Sequence, residues 1–298
     1  MLATYNGEKY LEEQLESIVK QTYENWQLII SDDNSQDSTK QIINKYILLY
    51  PDQIKYIDNK NEHSAKGNFI NLFNNVEESD YYMFCDQDDV WINTKIEKFV
   101  ARIEKEKYAE SILMYCDLKI VDQKLNLLQD SYLKYTNNYP PNEDFKNFTL
   151  ENHIPGCVMF FNHSLKEKIG KISNKCRMHD WWIALVAAAY GKIIFIDETL
   201  NLYRQHENNT IGVKKQNNMK NSTKIKNMKD FNKSILIQLK DFEEKYAISN
   251  IEIKTILANS IKILKSKNIV SKLLILKFNK YRFADKKKFY KYLLININ

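Results

Sequence analysis

Residues 81–91 read Tyr-Tyr-Met-Phe-Cys-Asp-Gln-Asp-Asp-Val-Trp, an apolar run that passes directly into a cluster of acidic residues. The run from Tyr81 to Cys85 is short and continuous, which is typical of a strand buried in a parallel sheet. Asp86, Asp88 and Asp89 follow at the carboxyl end of that strand. Open α/β sheets bind ligands at this end, where strand ends and helix starts converge on a crevice. The position of the cluster therefore indicates an α/β fold with a ligand site at this edge.

Short β-like segments alternate with helical periodicity through the first hundred residues, which predicts a parallel sheet covered by helices. The predicted strands are 1–5, 26–31, 53–57 and 81–85. Three helices between them and a fourth after the acidic cluster carry apolar residues at spacings of three and four. These apolar residues are Leu11, Leu15, Ile18 and Val19; Ile42, Ile43, Tyr46 and Leu49; Phe69, Leu72, Phe73 and Val76; and Ile96, Phe99, Val100 and Ile103.

Two further polar loops follow predicted strands. Thr4-Tyr5-Asn6 comes after the first strand, and Asp32-Asp33-Asn34 comes after the second. Because parallel strands end at the same edge of a sheet, we expect these loops to open onto the crevice that holds the acidic cluster.

The second half of the chain is less regular. We predict strands at 112–121, 156–162 and 192–196, and a helix at 180–190 whose inward stripe begins at Trp182. Pro140-Pro141 interrupts the chain between the first two of these strands.

The composition bounds the class of protein. A chain of 298 residues with 44% hydrophobic content can bury a substantial core. We find neither a signal-peptide pattern nor an apolar run of about 20 residues, so we expect a protein that stays inside the cell. The four cysteines lack C-x-x-C spacing and are predicted to be free thiols in the core. They are Cys85, Cys116, Cys157 and Cys176.

The net charge of +6 hides a segregation of charge along the chain. Residues 214–298 contain 21 Lys and Arg against 6 Asp and Glu, a balance of +15. The remaining 23 basic and 32 acidic residues leave −9 for residues 1–213. The two regions therefore have different electrostatic tasks.

Asp86 and Asp88 have the spacing of a divalent-cation site. Carboxylates two residues apart in a tight loop can hold Mg²⁺ or Mn²⁺ and leave positions open for phosphate and water. The same spacing is also typical of a solvated acidic turn or a helix cap. The strand-end position favours the metal site.

Several motifs of residues 1–212 together resemble the family 2 glycosyltransferases, whose GT-A fold is a Rossmann-like mixed sheet with flanking helices. In the nucleotide-binding half they are Ala3-Thr4-Tyr5-Asn6-Gly7, Ser17-Ile18 with Gln21-Thr22-Tyr23, and Ser31-Asp32-Asp33-Asn34-Ser35. Within the family the sequence is most similar to bacterial rhamnosyltransferases that build cell-surface rhamnan or O-antigen chains. That similarity lies in Asp86-Gln87-Asp88-Asp89-Val90-Trp91, Pro155-Gly156-Cys157-Val158-Met159, His179-Asp180-Trp181-Trp182 and Tyr203-Arg204-Gln205-His206-Glu207-Asn208-Asn209.

The resemblance implies where the domains of the chain begin and end and which residues form the donor site. The catalytic domain would span 1–212, with a nucleotide-binding half at 1–110 and an acceptor-binding half at 111–212, followed by a basic helical region at 213–298. Donor-binding residues would be Ala3, Tyr5, Asp32, Asp33, Lys66, Asn68, Asp86 and Arg204, and metal ligands would be Asp86, Asp88 and His206. Within the acidic cluster, Asp88 would be the principal ligand, Asp86 its neighbour on the donor side or bridging the metal, and Asp89 a structural residue. Tyr5 would stack on the base and Asp33 would accept hydrogen bonds from the base or ribose. Packing for Tyr5 and simple solvation for His206 are the competing interpretations.

Asp180 matches the catalytic base of the family, which deprotonates the acceptor hydroxyl for attack on the anomeric carbon. Without the resemblance, Asp180 would be interpreted as a helix N-cap. The acceptor pocket would be bordered by Trp91, Gly156, His179 and Trp181, and each tryptophan has core packing as its alternative.

The resemblance thus implies an inverting, metal-dependent and non-processive sugar transferase. We expect L-rhamnose from dTDP-L-rhamnose as the transferred sugar, or else a hexose from a UDP-sugar, onto a hydroxyl of a growing, lipid-linked surface polysaccharide. A nucleotidyltransferase or phosphohydrolase would also place carboxylates and a metal around a diphosphate. A nucleic-acid binder would use the basic tail but leaves the acidic crevice unexplained, so no nucleic acid is expected as a partner.

The basic C-terminal region combines apolar periodicity with lysines. Residues 253–264 predict a helix, and residues 269–282 mix aliphatic side chains with Lys272, Lys277, Lys280 and Arg282. This pattern is typical of a helix lying on an anionic membrane, which would place the enzyme peripherally on the inner face of the cytoplasmic membrane. An ordinary helical cap with solvated lysines is the alternative.

Overall fold

A computed structural model describes residues 1–60, 62–106, 110–206, 221–246 and 249–281 of the chain. The strands in these ranges are β1 (Leu2–Thr4), β2 (Leu28–Asp32), β3 (Ile54–Tyr56), β4 (Tyr81–Met83), β5 (Val90–Trp91), β6 (Ile112–Val121), β7 (Leu127–Gln129), β8 (Met159–Asn162) and β9 (Lys192–Arg204). The α-helices are α1 (Leu11–Val19), α2 (Thr39–Leu49), α3 (Ala65–Asn75), α4 (Lys95–Ile103), α5 (Tyr132–Tyr135), α6 (Phe145–Phe148), α7 (His163–Ile169), α8 (His179–Tyr190), α9 (Asn221–Tyr246), α10 (Ile251–Lys265) and α11 (Ile269–Phe278). Glu207, Asn208 and Asn209 of the last motif, residues 213–220, and Arg282 lie outside the described residues.

The first three strands form the predicted parallel sheet. β1 pairs with β2 and β2 with β3, both in parallel. Helices α1, α2 and α3 follow the strands in turn, as the periodicity predicts. A parallel bridge from Leu2 to Cys85 brings the segment before the acidic cluster alongside β1. The ends of β1 and β2 and the start of the acidic cluster therefore meet at one edge.

The second sheet is mixed, in the order β4-β8-β6-β9-β5. β4 runs antiparallel to β8, whereas we predicted a parallel strand. β9 runs parallel to β6 and continues to Arg204, well past the predicted end at Ile196. This extension pairs with β5, a two-residue strand too short to show any sequence period. Gly156–Val158 is a 3-10 turn rather than the start of β8.

Helix α8 lies at the centre of the core. Its residues from Trp181 to Ala187 are all buried, so the helix is apolar on nearly every side, as expected of a helix enclosed by other elements. The four cysteines are buried and free, as predicted.

The C-terminal helices pack on the catalytic region. Phe242 of α9 is buried, and its ring centroid lies 5.8 Å from that of Trp182 in α8. In α10, Ser260 Oγ lies 2.6 Å from Thr149 Oγ1, next to α6. The domain boundary near residue 212 remains a prediction. Within the described residues, none of the helices combines the length and the apolar character needed to cross a bilayer.

Candidate active site

One large cavity, about 2120 Å³ in volume, opens where the two sheets meet. The predicted site residues that line it are Ala3, Tyr5, Asp33, Asn68, Asp86, Asp88, Gly156, His179, Asp180, Trp181 and His206. The fold therefore gathers onto one surface residues that are up to 203 positions apart in the sequence.

The loop after β1 presents Tyr5 to the cavity. The Tyr5 side chain is 56% exposed, so it is not the packing residue of the competing interpretation. Its backbone is held from both sides by Gln87: the Tyr5 N–H donates to Oε1 at 2.8 Å, and Nε2 donates to the Tyr5 carbonyl at 2.9 Å. The loop that carries the predicted base-stacking ring is thus tied directly to the acidic cluster.

The two aspartates after β2 have different surroundings. Asp32 is buried and accepts hydrogen bonds from Thr4 Oγ1 at 2.8 Å and from the Ser35 N–H at 2.8 Å. It does not line the cavity, so its place is that of a loop-stabilising residue and not of the donor contact we expected. Asp33 does line the cavity, as expected of a base-recognition residue.

Asp33 is oriented by two residues that the sequence did not single out. Asn59 Nδ2 donates to Asp33 Oδ1 at 2.7 Å, and His63 Nδ1 lies 2.8 Å from the same oxygen. Both partners come from the connection between β3 and α3, a segment without a motif. Only the tertiary fold brings them to the loop after β2.

Helix α3 contributes one of the two residues expected from it. Asn68 is buried, donates through Nδ2 to the Ser31 carbonyl at 2.7 Å, and lines the cavity. Its Oδ1 has no hydrogen-bond partner, which suits an acceptor for a ligand N–H or O–H. Lys66, in contrast, donates to the Asn174 carbonyl at 3.1 Å and does not line the cavity.

The acidic cluster places Asp86 and Asp88 at the cavity surface. Burial and the nearby carboxylates of Asp88 and Asp180 raise the pKa of Asp86 well above its usual range. Asp88 Oδ2 lies 2.7 Å from His206 Nε2, although the two residues are 118 positions apart in the chain. The distant histidine and the acidic cluster are therefore brought together as the resemblance implies.

Asp88 and His206 bring a carboxylate oxygen and an imidazole nitrogen together, a pair that suits a divalent cation, and Asp86 lines the same cavity. Two ligands at about 2.1 Å from an octahedral ion lie about 3 Å apart, which is close to the observed separation of Asp88 and His206. The combination of carboxylate oxygen with imidazole nitrogen suits Mn²⁺ better than Mg²⁺.

A second acidic group, beneath the loop, is a structural cluster. Ligand atoms of Asp86, Asp89 and Cys157 lie within 4.8 Å of one another. However, Asp89 accepts hydrogen bonds from Asn201 Nδ2 at 2.7 Å and from the Arg204 N–H at 3.2 Å. Burial raises the pKa of the Cys157 thiol well above its usual range, so the sulfur stays protonated. Asp89 is therefore a structural residue, as predicted.

Lys95 belongs to the same buried hydrogen-bonded cluster as Asp89 and Cys157. Its fully buried Nζ donates to the Cys157 carbonyl at 2.7 Å and to Asn201 Oδ1 at 3.2 Å. It also lies 3.9 Å from the ring centroid of Trp91, which is itself buried and does not line the cavity. Trp91 is thus a core residue and not part of the acceptor pocket we expected.

Arg204 braces the acidic loop from below. It is buried, and its Nε donates to the Asp88 carbonyl at 2.8 Å. Nη1 donates to the Gln123 carbonyl at 2.7 Å, and Nη2 pairs with Glu13. The expected contact with the donor diphosphate does not match this placement, because the guanidinium does not line the cavity.

Asp180 lies in the first turn of α8 and lines the cavity. The residue that caps the helix is Met178, so the N-cap interpretation of Asp180 is wrong. Burial raises the pKa of Asp180 to about 6, while hydrogen bonds from the Trp181 and Gly156 N–H groups and the charge of Arg177 oppose the shift. Such a carboxylate is ionised near neutral pH and is more basic than an ordinary aspartate.

His179 and Gly156 shape the wall next to Asp180. The His179 ring is buried, with its centroid 4.3 Å from that of Phe69 and 4.6 Å from that of Phe84. Burial lowers its pKa to about 3, which keeps the ring neutral. A Cβ on Gly156 would lie 2.8 Å from His179 Nε2, so this turn needs glycine. Trp181 is nearly fully buried and only borders the cavity.

Comparisons with known proteins show which family the chain belongs to. The profile of the family described as "Glycosyl transferase family 2" matches residues 1–169, more than half of the chain. The dTDP-rhamnosyl transferase RfbG of Shigella flexneri is 31% identical over 229 residues, which are 71% of this chain and 73% of that protein.

Two solved structures share the fold. S. aureus TarS 1–349 in complex with UDP-GlcNAc is 16% identical, with a TM-score of 0.54 over 98% of this chain and 88% of that one. The mannosyltransferase PcManGT from Pyrobaculum calidifontis, in complex with GDP-Man and Mn²⁺, is 13% identical, with a TM-score of 0.54 over 98% and 83% of the two chains. At these identities the likeness establishes the GT-A fold alone. Together with the profile match, it leads to the conclusion that the chain belongs to glycosyl transferase family 2.

Proposed function

We propose that this glycosyltransferase transfers L-rhamnose from dTDP-L-rhamnose, with inversion, onto a hydroxyl of a growing, lipid-linked surface polysaccharide. The observation that carries the proposal is the single cavity lined by Tyr5, Asp33, Asp88, His206 and Asp180. The choice of rhamnose is supported by the 31% identity to a dTDP-rhamnosyl transferase over most of both chains.

On the donor side, each residue has a task that its chemistry suits. Tyr5 offers an exposed aromatic face to the base. Asp33, oriented by Asn59 and His63, accepts from the N–H group that thymine and uracil share. Asn68 presents its unpartnered Oδ1 to the same region of the cavity.

Asp88, His206 and Asp86 would hold the divalent cation. When bound, the cation supplies the positive charge that neutralises the departing nucleoside diphosphate. Tyr10 and Arg204 position these ligands: the rings of Tyr10 and His206 stack with centroids 4.9 Å apart, and Arg204 holds the Asp88 carbonyl.

On the acceptor side, Asp180 acts as the base. Its carboxylate takes the proton from the acceptor hydroxyl as the oxygen attacks the anomeric carbon. Attack from the face opposite the leaving diphosphate forms one bond as the other breaks, so the configuration inverts in a single displacement. The backbone N–H groups of Gly156 and Trp181 hold the carboxylate in place during the transfer.

A donor panel with product analysis tests this proposal. The protein is incubated with Mn²⁺, a rhamnose-terminated acceptor and either dTDP-L-rhamnose or UDP-glucose. Because dTDP-L-rhamnose carries a β-linked sugar, we expect inversion to give an α-configured product together with nucleoside diphosphate. Product from UDP-glucose alone would establish the alternative donor, and release of a nucleoside monophosphate would indicate a nucleotidyltransferase or phosphohydrolase instead.

Membrane attachment through α11 is the second part of the proposal. Five exposed apolar side chains recur at spacings of one, three and four along this helix, which places them on one face: Ile269, Val270, Leu273, Leu274 and Phe278. Residues 249–281 carry seven lysines and one glutamate, so this apolar stripe lies in a strongly basic surface. An apolar stripe with basic surroundings matches an anionic lipid surface. Lys272, expected among the basic residues at that surface, is buried.

A further inference from the structure

The cavity is larger than a nucleotide sugar requires. Its volume of about 2120 Å³ is more than twice the upper end, about 1,000 Å³, of pockets that hold one small ligand. Beyond Asp180 it continues between the segment 151–156 and helix α9. The residues of α9 that line it are Asn227, Met228, Asp230, Phe231 and Asn232.

Helix α9 contacts the segment that carries the proposed catalytic base. Arg177, three residues before Asp180, donates from its backbone N–H to Gln238 Oε1 at 2.8 Å and from Nη1 to Ser234 Oγ at 3.0 Å. The Arg177 guanidinium carbon lies 4.1 Å from the ring centroid of Phe231. The Phe231 ring is in turn 6.1 Å from that of Trp181. These contacts place the lining face of α9 next to Asp180.

The chemistry of this part of the cavity suits a neutral saccharide. Asn227 and Asp230 are exposed, so their polar groups are open to a ligand, and Phe231 adds apolar surface. Among the described residues that line this half, the carboxylates of Glu151, Asp180 and Asp230 accompany a single guanidinium, that of Arg177. Carboxylates and amides accept hydrogen bonds from sugar hydroxyls, and an excess of carboxylates repels anionic ligands.

We propose that α9 forms the second wall of the acceptor site and binds a neutral oligosaccharide through Asp230, Asn227 and Phe231. The site is then composite, because the base comes from the catalytic region and part of the acceptor recognition comes from the appended C-terminal helices. This inference rests on the proposed function, since it assigns the acceptor of the same reaction. It also predicts that recognition of the donor is independent of α9.

The test compares the double variant Asp230→Ala/Phe231→Leu with wild type. Leucine keeps the apolar packing of Phe231 but lacks its flat ring. Glu244→Ala is the matched control, because it removes an exposed carboxylate from α9 that does not line the cavity. Transfer from dTDP-L-rhamnose to a rhamnose-terminated trisaccharide is measured together with hydrolysis of the donor without acceptor.

We expect the KM for the trisaccharide to rise about tenfold in the double variant, with the KM for the donor and its hydrolysis unchanged. The single variant Asp230→Ala, which keeps Phe231, should show a smaller rise in the KM for the trisaccharide. Glu244→Ala should match wild type. An unchanged KM for the trisaccharide, or an equal loss of donor hydrolysis, would overturn the inference.

Direct binding separates this inference from the proposed function. Saturation-transfer NMR with the same trisaccharide, in the presence of dTDP and Mn²⁺, reports on the acceptor site without any turnover. Signals in wild type that vanish in the double variant would support the composite site even if rhamnose transfer failed. Absence of signals in wild type, or equal signals in both proteins, would refute it.

Discussion

Asp180 lies in the first turn of α8 with two backbone N–H groups directed at its carboxylate, yet burial still dominates and raises its pKa from 3.8 to about 6. As the proposed base, Asp180 must be ionised to accept the hydroxyl proton. Transfer should therefore decline as pH falls through this value, with kcat/KM dropping about tenfold per pH unit below about pH 6. If the decline begins near pH 4 instead, either the pKa of Asp180 is not raised or Asp180 is not the base.

The same pKa shift links catalysis to stability. Because the folded-state pKa is raised, the carboxyl group favours folding below its unfolded pKa, and this contribution is lost as pH rises through about 6. The ionised group thus costs stability at neutral pH. Asp180→Asn should raise the free energy of unfolding at pH 7.5 by about 1 kcal/mol and change it little at pH 4. The effect is smaller than the full pKa shift implies, because solvent screens the partly exposed side chain.

Thermal or urea unfolding of wild type and Asp180→Asn at both pH values checks this prediction. The expected outcome is an inactive protein that is more stable than wild type at pH 7.5 only. A variant that is less stable at neutral pH would mean that the hydrogen bonds to the carboxylate outweigh its desolvation.

At the scale of elements, β9 supports the acidic loop from beneath. Asn201 on this strand donates to Asp89, which is fully buried, and accepts from Lys95. Asn201→Leu would leave both buried polar groups without that partner. We expect it to lower the free energy of unfolding by about 2–3 kcal/mol, because a buried polar group that loses its hydrogen bond keeps its desolvation penalty.

Glu198→Ala is the control for that substitution on the same strand. Glu198 pairs with Lys98 at the surface, so its removal should cost less than about 1 kcal/mol. Chemical denaturation of the two variants measures both effects. Equal losses, or no loss for Asn201→Leu, would show that the buried network does not support the loop.

The elements differ in how far the sequence reveals them. The strand before Asp86, the helices α1 to α4 and the start of α8 follow from local apolar periodicity, which needs no knowledge of the rest of the fold. The end of β9 does not, because it is set by pairing with β5, a strand of two residues. Lys95 occupies a polar position of an amphipathic helix, yet the distant residues Cys157 and Asn201 bury it.

The candidate active site, too, could be predicted from the sequence only in part. Asp33, Asp88 and Asp180 carry their signal in motifs, whereas the partners that orient Asp33 come from a loop without one. Arg204 belongs to a motif, but the direction of its side chain depends on Glu13 and Gln123, which approach from other parts of the chain. Residue identity thus indicates the chemistry, and only the tertiary structure decides which side of the acidic loop a charged group occupies.

The whole molecule separates an acidic catalytic region from a basic C-terminal region, and α11 adds the exposed apolar stripe. Val270→Glu combined with Phe278→Glu should lower partitioning onto anionic phosphatidylglycerol vesicles at least about tenfold, because burial of such side chains contributes about 1.5–3 kcal/mol each. Transfer to a soluble acceptor should be unaffected. Both residues are more than 60% exposed, so folding should not suffer.

Leu48→Glu is the control for the vesicle experiment. Leu48 is 82% exposed on α2 of the catalytic region and should not affect binding to vesicles. Co-sedimentation at low and high salt measures the partitioning. Recovery of the wild-type protein in the supernatant at low salt, or equal binding of the double variant, would refute attachment through α11.

We propose that Asp88, with His206 and Asp86, holds the cation and the donor while Asp180 acts on the acceptor. Calorimetric titration of dTDP in the presence of Mn²⁺ into wild type, Asp88→Ala and Asp180→Ala tests this directly, since both variants should have lost transfer. We predict that Asp88→Ala weakens the Mn²⁺-dependent binding at least about tenfold and that Asp180→Ala stays within about twofold of wild type. Unchanged binding in Asp88→Ala, or an equal loss in Asp180→Ala, would contradict the account.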